Sequence, residues 1–455
     1  MGAGVLVVEI YSSFRKILNE LKRLQAPSAL EQKTPAFPGL IAAGPEGSIL
    51  VNEEIEKEIR VIADWLRDHR PATKAQYRVK EWRAAVRKAF GPALMQIDLD
   101  FPVEDNSHKL KKLIEATVDA TQEVIALHFT TIGCTLFEKP LVGPLAIGPV
   151  LFEPKDVWLN RARESGQLSG DNHSRLKDAF AGHPLPKAPE TVQHLFERTI
   201  VDALLQSQLV CTVETRNFAP EMTKTRAIVG ARLGQAAIAL LWQLPSKTLE
   251  GFHLSVDHGR RLIRTVPYVP GKQTIGGLHS VGTSHGPSIE SDDWDRIVVG
   301  WRNYFDVAGR MIACWTDAHA QASDLLRNMA AALWFIWEGC RDENDLMAVV
   351  KFTSALEQLS QGAGGKSGGI MRLAAARLGL EPNDKIAGEK TLKQVVELIY
   401  SDARSRTLHG NNPFLNHDWS EVRVLSESLT RHCLVACMDW FEQNPTATDP
   451  KCLVA

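Results

Sequence analysis

Apolar positions three and four residues apart open the chain. Over residues 54–69 (EIEKEIRVIADWLRDH), Ile55, Ile59, Ile62 and Leu66 make one stripe on an otherwise charged helix. Residues 74–90 repeat the idea with Tyr77, Val79, Trp82, Val86 and Phe90, and residues 110–129 with Leu113, Val118, Val124 and Leu127. Pro71 and the stretch 102–106 punctuate these helices. From 131 to 157, proline, glycine and short runs such as LAIGPVLF predict brief strands or extended loop. Residues 160–188 are polar and predict an exposed loop. Helical periodicity returns at 192–209 and 226–243. Residues 250–290, rich in glycine, histidine and proline, predict a loop-rich border with a strand-like LIRTVPYV inside. Beyond about residue 315 the pattern predicts helices at 318–339, 344–359, 369–380, 390–408 and 419–441, joined by short or glycine-rich turns. Five such helices read as a bundle. No repeat of fixed period is present.

Composition adds bounds. The chain has 455 residues, 44% of them hydrophobic and 23% charged, which is ordinary for a globular protein and long enough for two or three domains. With 52 Lys plus Arg against 54 Asp plus Glu, the formal charge of -2 excludes a bulk positive field. Any nucleic-acid contact must come from a local patch, for which Arg372, Arg377, Arg404, Arg406, Arg423 and Arg431 are the candidates. Seven thinly spread cysteines without a CxxC pair point to a reducing compartment. No stretch reaches the roughly 18 apolar residues of a membrane span, and the start lacks a signal-peptide pattern, so the expectation is a cytoplasmic protein without membrane contact. The final Cys452-Leu-Val-Ala455 fits a prenylation box, but it lacks a polybasic flank and such short patterns arise by chance.

The stretch richest in chemistry is Leu398–Asn412, LIYSDARSRTLHGNN, with Arg404 and His409 separated by four residues. Five steps along a regular helix amount to about 500°, a net 140°, so the two side chains converge only if the helix loosens or ends. Gly410-Asn411-Asn412-Pro413 supplies an ending. A guanidinium binds phosphate bidentately, and an imidazole moves protons near neutral pH. The pair suffices for attack of an RNA 2'-hydroxyl on its own phosphodiester without metal. By spacing alone, a basic helix end set against the dipole explains the motif better.

The string Leu398, Tyr400, Arg404, Ser405, His409, Gly410 resembles the ApeA-like branch of the HEPN superfamily, whose last helices read roughly "lY..RS..vHG". Residues 354–359 (SALEQL) resemble the family's "alE.L" helix, and residues 370–379 (IMRLAAARLG) its basic, alanine-rich helix. The resemblance covers about residues 320–443. It implies a HEPN-type helical bundle at 311–455. With the periodicity, the expectation is a mainly α chain. Its mostly α (α+β) region at 1–310 carries no resemblance, and is expected to sense a trigger or restrain the nuclease because a cytoplasmic RNase must be controlled. The resemblance further implies a homodimer through the bundle, with two Arg-His motifs in one cleft. The implied activity is metal-independent endoribonuclease cleavage by an anti-phage or toxin effector, leaving a 2',3'-cyclic phosphate. Its substrate would be RNA such as tRNA loops, a phage-derived product would act as trigger or inhibitor, and no cofactor is implied. Arg404 would contact the scissile phosphate and His409 act as general acid or base. Ser405 matches this branch although many HEPN families carry Asn, Asp or His there. Glu357 would orient Arg404, with an exposed helix carboxylate as the alternative. Tyr400 would pack under the site. Arg372, Arg377, Arg406 and Asn411 are expected to contact RNA.

Other motifs carry less. Residues 362–367 (GAGGKS) resemble the end of a P-loop, but the required first glycine falls at Ser360 and the preceding segment is a polar helix. A flexible turn is expected there. His432, Cys433 and Cys437 sit together on the last helix with no second pair to complete a zinc site, and the two cysteines are expected in the core. His253, His258, His279 and His285 share a glycine-rich region with Asp257 but match no metal spacing. Two further readings stand beside the nuclease: a non-catalytic HEPN module binding a nucleotide, RNA or partner, and a helical scaffold whose resemblance is accidental.

Overall fold

In the computed structural model, residues 3–25, 39–44, 47–121, 124–136, 141, 143–185, 191–257 and 291–455 are described. They pack into two units: residues 1–128 with 216–225, and residues 129–215 with 226–455.

The stripe at Ile55, Ile59, Ile62 and Leu66 becomes the buried face of α2 (Glu53–Asp68), whose first turn is capped by the Asn52 side chain accepting from the Ile55 amide at 3.0 Å. In the first unit α2 follows α1 (Ala3–Gln25) and a hairpin of β1 (Gly39–Ala42) with β2 (Ser48–Val51). The predicted helix over 74–90 is divided. Tyr77 and Arg78 take extended conformations, which separate α3 (Pro71–Gln76) from α4 (Val79–Leu94). α5 (Val103–Thr121) starts earlier than its predicted stripe and does not run on to residue 129. Ile55, Ile59, Trp82, Phe90, Leu110 and Ile114 form this unit's dry centre, and the Trp82 indole donates to the Ala63 carbonyl at 2.8 Å.

The second unit joins a sheet to the bundle. β3 (His128–Leu136), β4 (Leu145–Ile147) and β5 (Val150–Pro154) are the strands expected between 131 and 157. The expected loop over 160–188 is instead two helices, α6 (Lys155–Glu164) and α7 (Gly170–Phe180). Their polar character is satisfied internally: His173 pairs with Asn160 at 3.0 Å and Gln193 donates to Asn172 at 2.6 Å. α8 (Val192–Leu204) stops short, and β6 (Leu209–Thr215) takes the apolar run after it. α9 (Pro220–Ala239), α10 (Pro245–Glu250) and β7 (Phe252–Leu254) lead to residue 257, and the strand-like segment at 262–269 lies outside the described residues. The five-stranded sheet runs in the order β4-β5-β6-β3-β7.

α11 (Ser291–Gly300) and α12 (Arg302–Thr316) precede the five expected helices. These are α13 (Asp324–Arg341), α14 (Asp345–Leu359), α15 (Lys366–Leu378), the composite helix over 392–408, and α18 (Ser420–Gln443). The composite opens after a small hairpin of β8 (Lys385–Ala387) and β9 (Lys390–Thr391). It runs from α16 (Leu392–Glu397) through a π-helical segment, Leu398–Ser405, to α17 (Arg406–Leu408). The chain is mainly α. Among the described residues no helix is long and apolar enough to cross a membrane.

An independent bundle beginning at 311 is not what packs. One continuous core links Ile132, Phe152 and Val213 of the sheet to Leu333, Phe352, Leu373 and Cys433 of the bundle. Trp337 donates to Gln235 at 3.2 Å, and the buried Glu427 carboxylate accepts from the Ser246 amide and hydroxyl at 2.6 and 2.8 Å. At the α12 crossing, Gly309 meets Gly148 so closely that a β-carbon on Gly309 would stand 2.6 Å from the Gly148 Cα. Three indoles make a ladder beside α13: Trp315 and Trp334 lie 5.8 Å apart, and Trp334 stacks on Trp337 at 5.4 Å. Arg226 covers Trp315 and Arg232 covers Trp337, at 5.7 and 4.5 Å from the ring centres.

Candidate active site on the Arg404–His409 helix

The composite helix begins with a capping box. Thr391 accepts from the Gln394 amide, and the Gln394 side chain accepts from the Thr391 amide. Its apolar face buries Leu392, Val395, Val396, Ile399 and Ala403. The loosening that the Arg404–His409 spacing requires falls over Leu398–Ser405, so it reaches Arg404 from the N-terminal side. Past it the backbone is α again, with the His409 amide donating to the Ser405 carbonyl at 3.0 Å.

The ending is a Schellman motif. Gly410 sits at φ 71°, its amide donates to Thr407, and the Asn411 amide donates to Arg406. His409 is therefore the last residue before the chain turns away. It is exposed and makes no side-chain hydrogen bond or ion pair among the described residues. Asn412, buried just beyond, donates to the Thr407 hydroxyl at 2.8 Å and weakly to the Asp402 carbonyl at 3.4 Å.

Arg404, Glu357 and Tyr400 do come together. Arg404 Nη2 lies 2.6 Å from Glu357 Oε2 on α14, both side chains largely shielded from solvent, and its guanidinium carbon stands 5.7 Å over the Tyr400 ring. The exposed-carboxylate alternative for Glu357 does not hold. Burial pushes the Glu357 carboxyl above its usual range, and Arg404 pulls the other way. Arg404 Nε has no acceptor among the described residues. Ser405 is partly buried, its carbonyl tied to His409. Arg406 pairs with Asp402 at 3.3 Å and covers Phe414, while Asn411 is exposed.

The wider basic patch does not assemble as expected. Arg377 donates to the carbonyls of Leu453, Cys452 and Ala455, so its charge closes off the C-terminal segment instead of facing RNA. Arg423 is paired with Asp345 at 2.8 Å, and Arg431 donates to the Leu240 carbonyl. Arg372 remains exposed on α15 and touches the Ala363 carbonyl at 3.2 Å.

The other motifs resolve into structure. Residues 361–363 form a short 3-10 turn, and Gly364, Gly365 and Lys366, the first residue of α15, take positive φ, joining helix to helix. Cys433 and Cys437 are buried, and burial pushes the Cys437 thiol up to about 12. His253 is engaged by the Glu250 carbonyl and Arg341, and Asp257 by Arg232. His258, His279 and His285 lie outside the described residues. Sequence reasoning passed over Thr353 on α14, whose hydroxyl reaches the Ile399 carbonyl at 3.3 Å. A lone threonine inside the apolar run AVVKFTSAL was the available signal.

Comparison with protein-family models, with curated proteins and with solved structures finds no match.

Proposed function

We propose that this chain is a metal-independent endoribonuclease of the ApeA-like HEPN type, acting in the cytoplasm as an anti-phage or toxin effector. The observation that carries the reading is the setting of Arg404. It is a shielded guanidinium, held by Glu357 and Tyr400, on a helix that stops at an exposed histidine. Arg404 binds the scissile phosphate. His409 takes the proton from the RNA 2'-hydroxyl as its oxygen bonds to phosphorus, or returns a proton to the departing 5'-oxygen as the P–O bond breaks. The products are a 2',3'-cyclic phosphate and a 5'-hydroxyl. One histidine supplies one of these transfers at a time, so a homodimer that pairs two motifs in one cleft completes the acid–base set. Unstacked loop nucleotides, as in tRNA, fit such a cleft best, and a phage product is the proposed trigger.

The test expresses wild type, Arg404→Ala and His409→Ala in a bacterial host and maps RNA ends, with lysate cleavage repeated in EDTA. Cleavage should survive EDTA and fall by about 10²–10⁴-fold in His409→Ala, the range for losing an acid–base group. Cleavage unchanged in both variants would overturn the site. The lack of any bond between His409 and Arg404 favours a second reading, a bundle that binds RNA or a partner without cutting. RNA retained by wild type, uncut under every trigger tried, would select it.

A further inference from the structure

Four residues along α14 match five along the π segment. Thr353 shares its single hydroxyl proton between the Val349 carbonyl at 2.8 Å and the Ile399 carbonyl at 3.3 Å. Glu357, four residues after Thr353, meets Arg404, five residues after Ile399. The two helices run in the same direction, so a regular α-helix would bring the fourth residue, Ala403, near that level. The π turn inserts one extra residue and presents Arg404 in its place. In a π turn a carbonyl accepts from the fifth residue on instead of the fourth, and its second lone pair can take a further buried donor. Thr353, fully buried, is placed to supply one.

We infer that Thr353 is a positioning residue of the Arg404 site: its hydroxyl holds the extra residue in the π turn and so aims the guanidinium at Glu357. This deepens the nuclease reading and rests on Arg404 carrying the chemistry.

The experiment compares Thr353→Val, which keeps the shape and loses the donor, with Thr353→Ser, which keeps the donor. Each is made in the full chain and in a chain lacking the exposed Ser401. Deleting Ser401 removes the extra residue and leaves Arg404 fourth after Ile399, at the level of Glu357 in an ordinary helix. In the full chain, Thr353→Val should lower kcat for RNA cleavage at least about tenfold, with KM within about twofold, as misplaced groups do. Thr353→Ser should stay near wild type. In the Ser401-deleted chain, Thr353→Val should leave kcat nearly unchanged. A full-chain Thr353→Val with wild-type kcat overturns the inference. So does Thr353→Ser falling as far as Thr353→Val, or an equal loss with and without Ser401. If Thr353→Val folds only when Ser401 is deleted, the π-turn role stands; if it folds in neither chain, the role falls. Should the wild type cut no RNA, the nuclease reading fails separately, and thermal unfolding reads the pairing. Arg404→Ala should then shift Tm in the full chain but not beside Thr353→Val, and equal shifts overturn the inference.

Discussion

Glu357 shows how one side chain ties site to stability. Burial raises its carboxyl pKa, with Arg404 only partly opposing, so the folded chain holds this proton more tightly than the unfolded one. A raised carboxyl contributes stability that is complete below its unfolded pKa and is lost as pH rises through the folded value. Relative to Glu357→Gln, the wild type should therefore lose Tm as pH climbs from about 4 through that raised range, 4.3 being the unperturbed value. Differential scanning calorimetry at several pH values measures it, and a pH-independent difference would refute the assignment. The meeting of Arg404 with Glu357 and Tyr400 was anticipated from the sequence through the resemblance, whereas His409 stands apart from them. Arg377 was misleading: a basic residue on a helix looks the same whether it faces RNA or, as here, three backbone carbonyls near the C-terminus. Thr353 was passed over because, although a threonine in an apolar run marked it, its partner is a carbonyl 46 residues away.

Among elements, the composite helix over 392–408 differs most from what periodicity suggests. A stripe shows that a helix exists but not that one of its turns is π, since one added residue shifts the later faces without erasing the pattern. Its ending was readable, because Gly410 before two asparagines and a proline leaves few alternatives. No atom stands within 4 Å of a β-carbon on Gly410, so Gly410→Ala meets only the backbone penalty of positive φ. That variant should lose about 1–2 kcal/mol by denaturant unfolding, and RNA cleavage should fall with it because His409 adjoins the strained residue. Unchanged stability would mean that the turn is not left-handed in solution. The polar helices α6 and α7 escaped detection because Asn160, Asn172 and His173, which read as loop, are hydrogen-bonded side chains here, His173 with Asn160 and Asn172 with Gln193 of α8. β6 went unassigned beyond the helix predicted to end at 209, since a short apolar run does not distinguish strand from buried helix.

For the whole molecule, the consequential feature is that sheet and bundle share one core, so the proposed nuclease does not start at a linker near 310. The Gly148–Gly309 crossing joins them backbone to backbone. Gly309→Val should cost about 1–3 kcal/mol or more, as overpacking does, and lower Tm for sheet and bundle together. A variant that loosened only the sheet in hydrogen exchange would argue against a common core. The mainly α class and the bundle helices followed from spacing alone, whereas the shared core depends on pairs such as Ser246 with Glu427, which lie 181 residues apart. The indole ladder at Trp315, Trp334 and Trp337 also makes this unit its own optical probe. Trp334 and Trp337 stack with an interplanar angle of 18°, close enough for their excited states to couple. Their near-ultraviolet dichroism should vanish when the bundle loosens, even while helical far-ultraviolet signal persists, so the packing of α12 against α13 can be watched in the unlabelled chain.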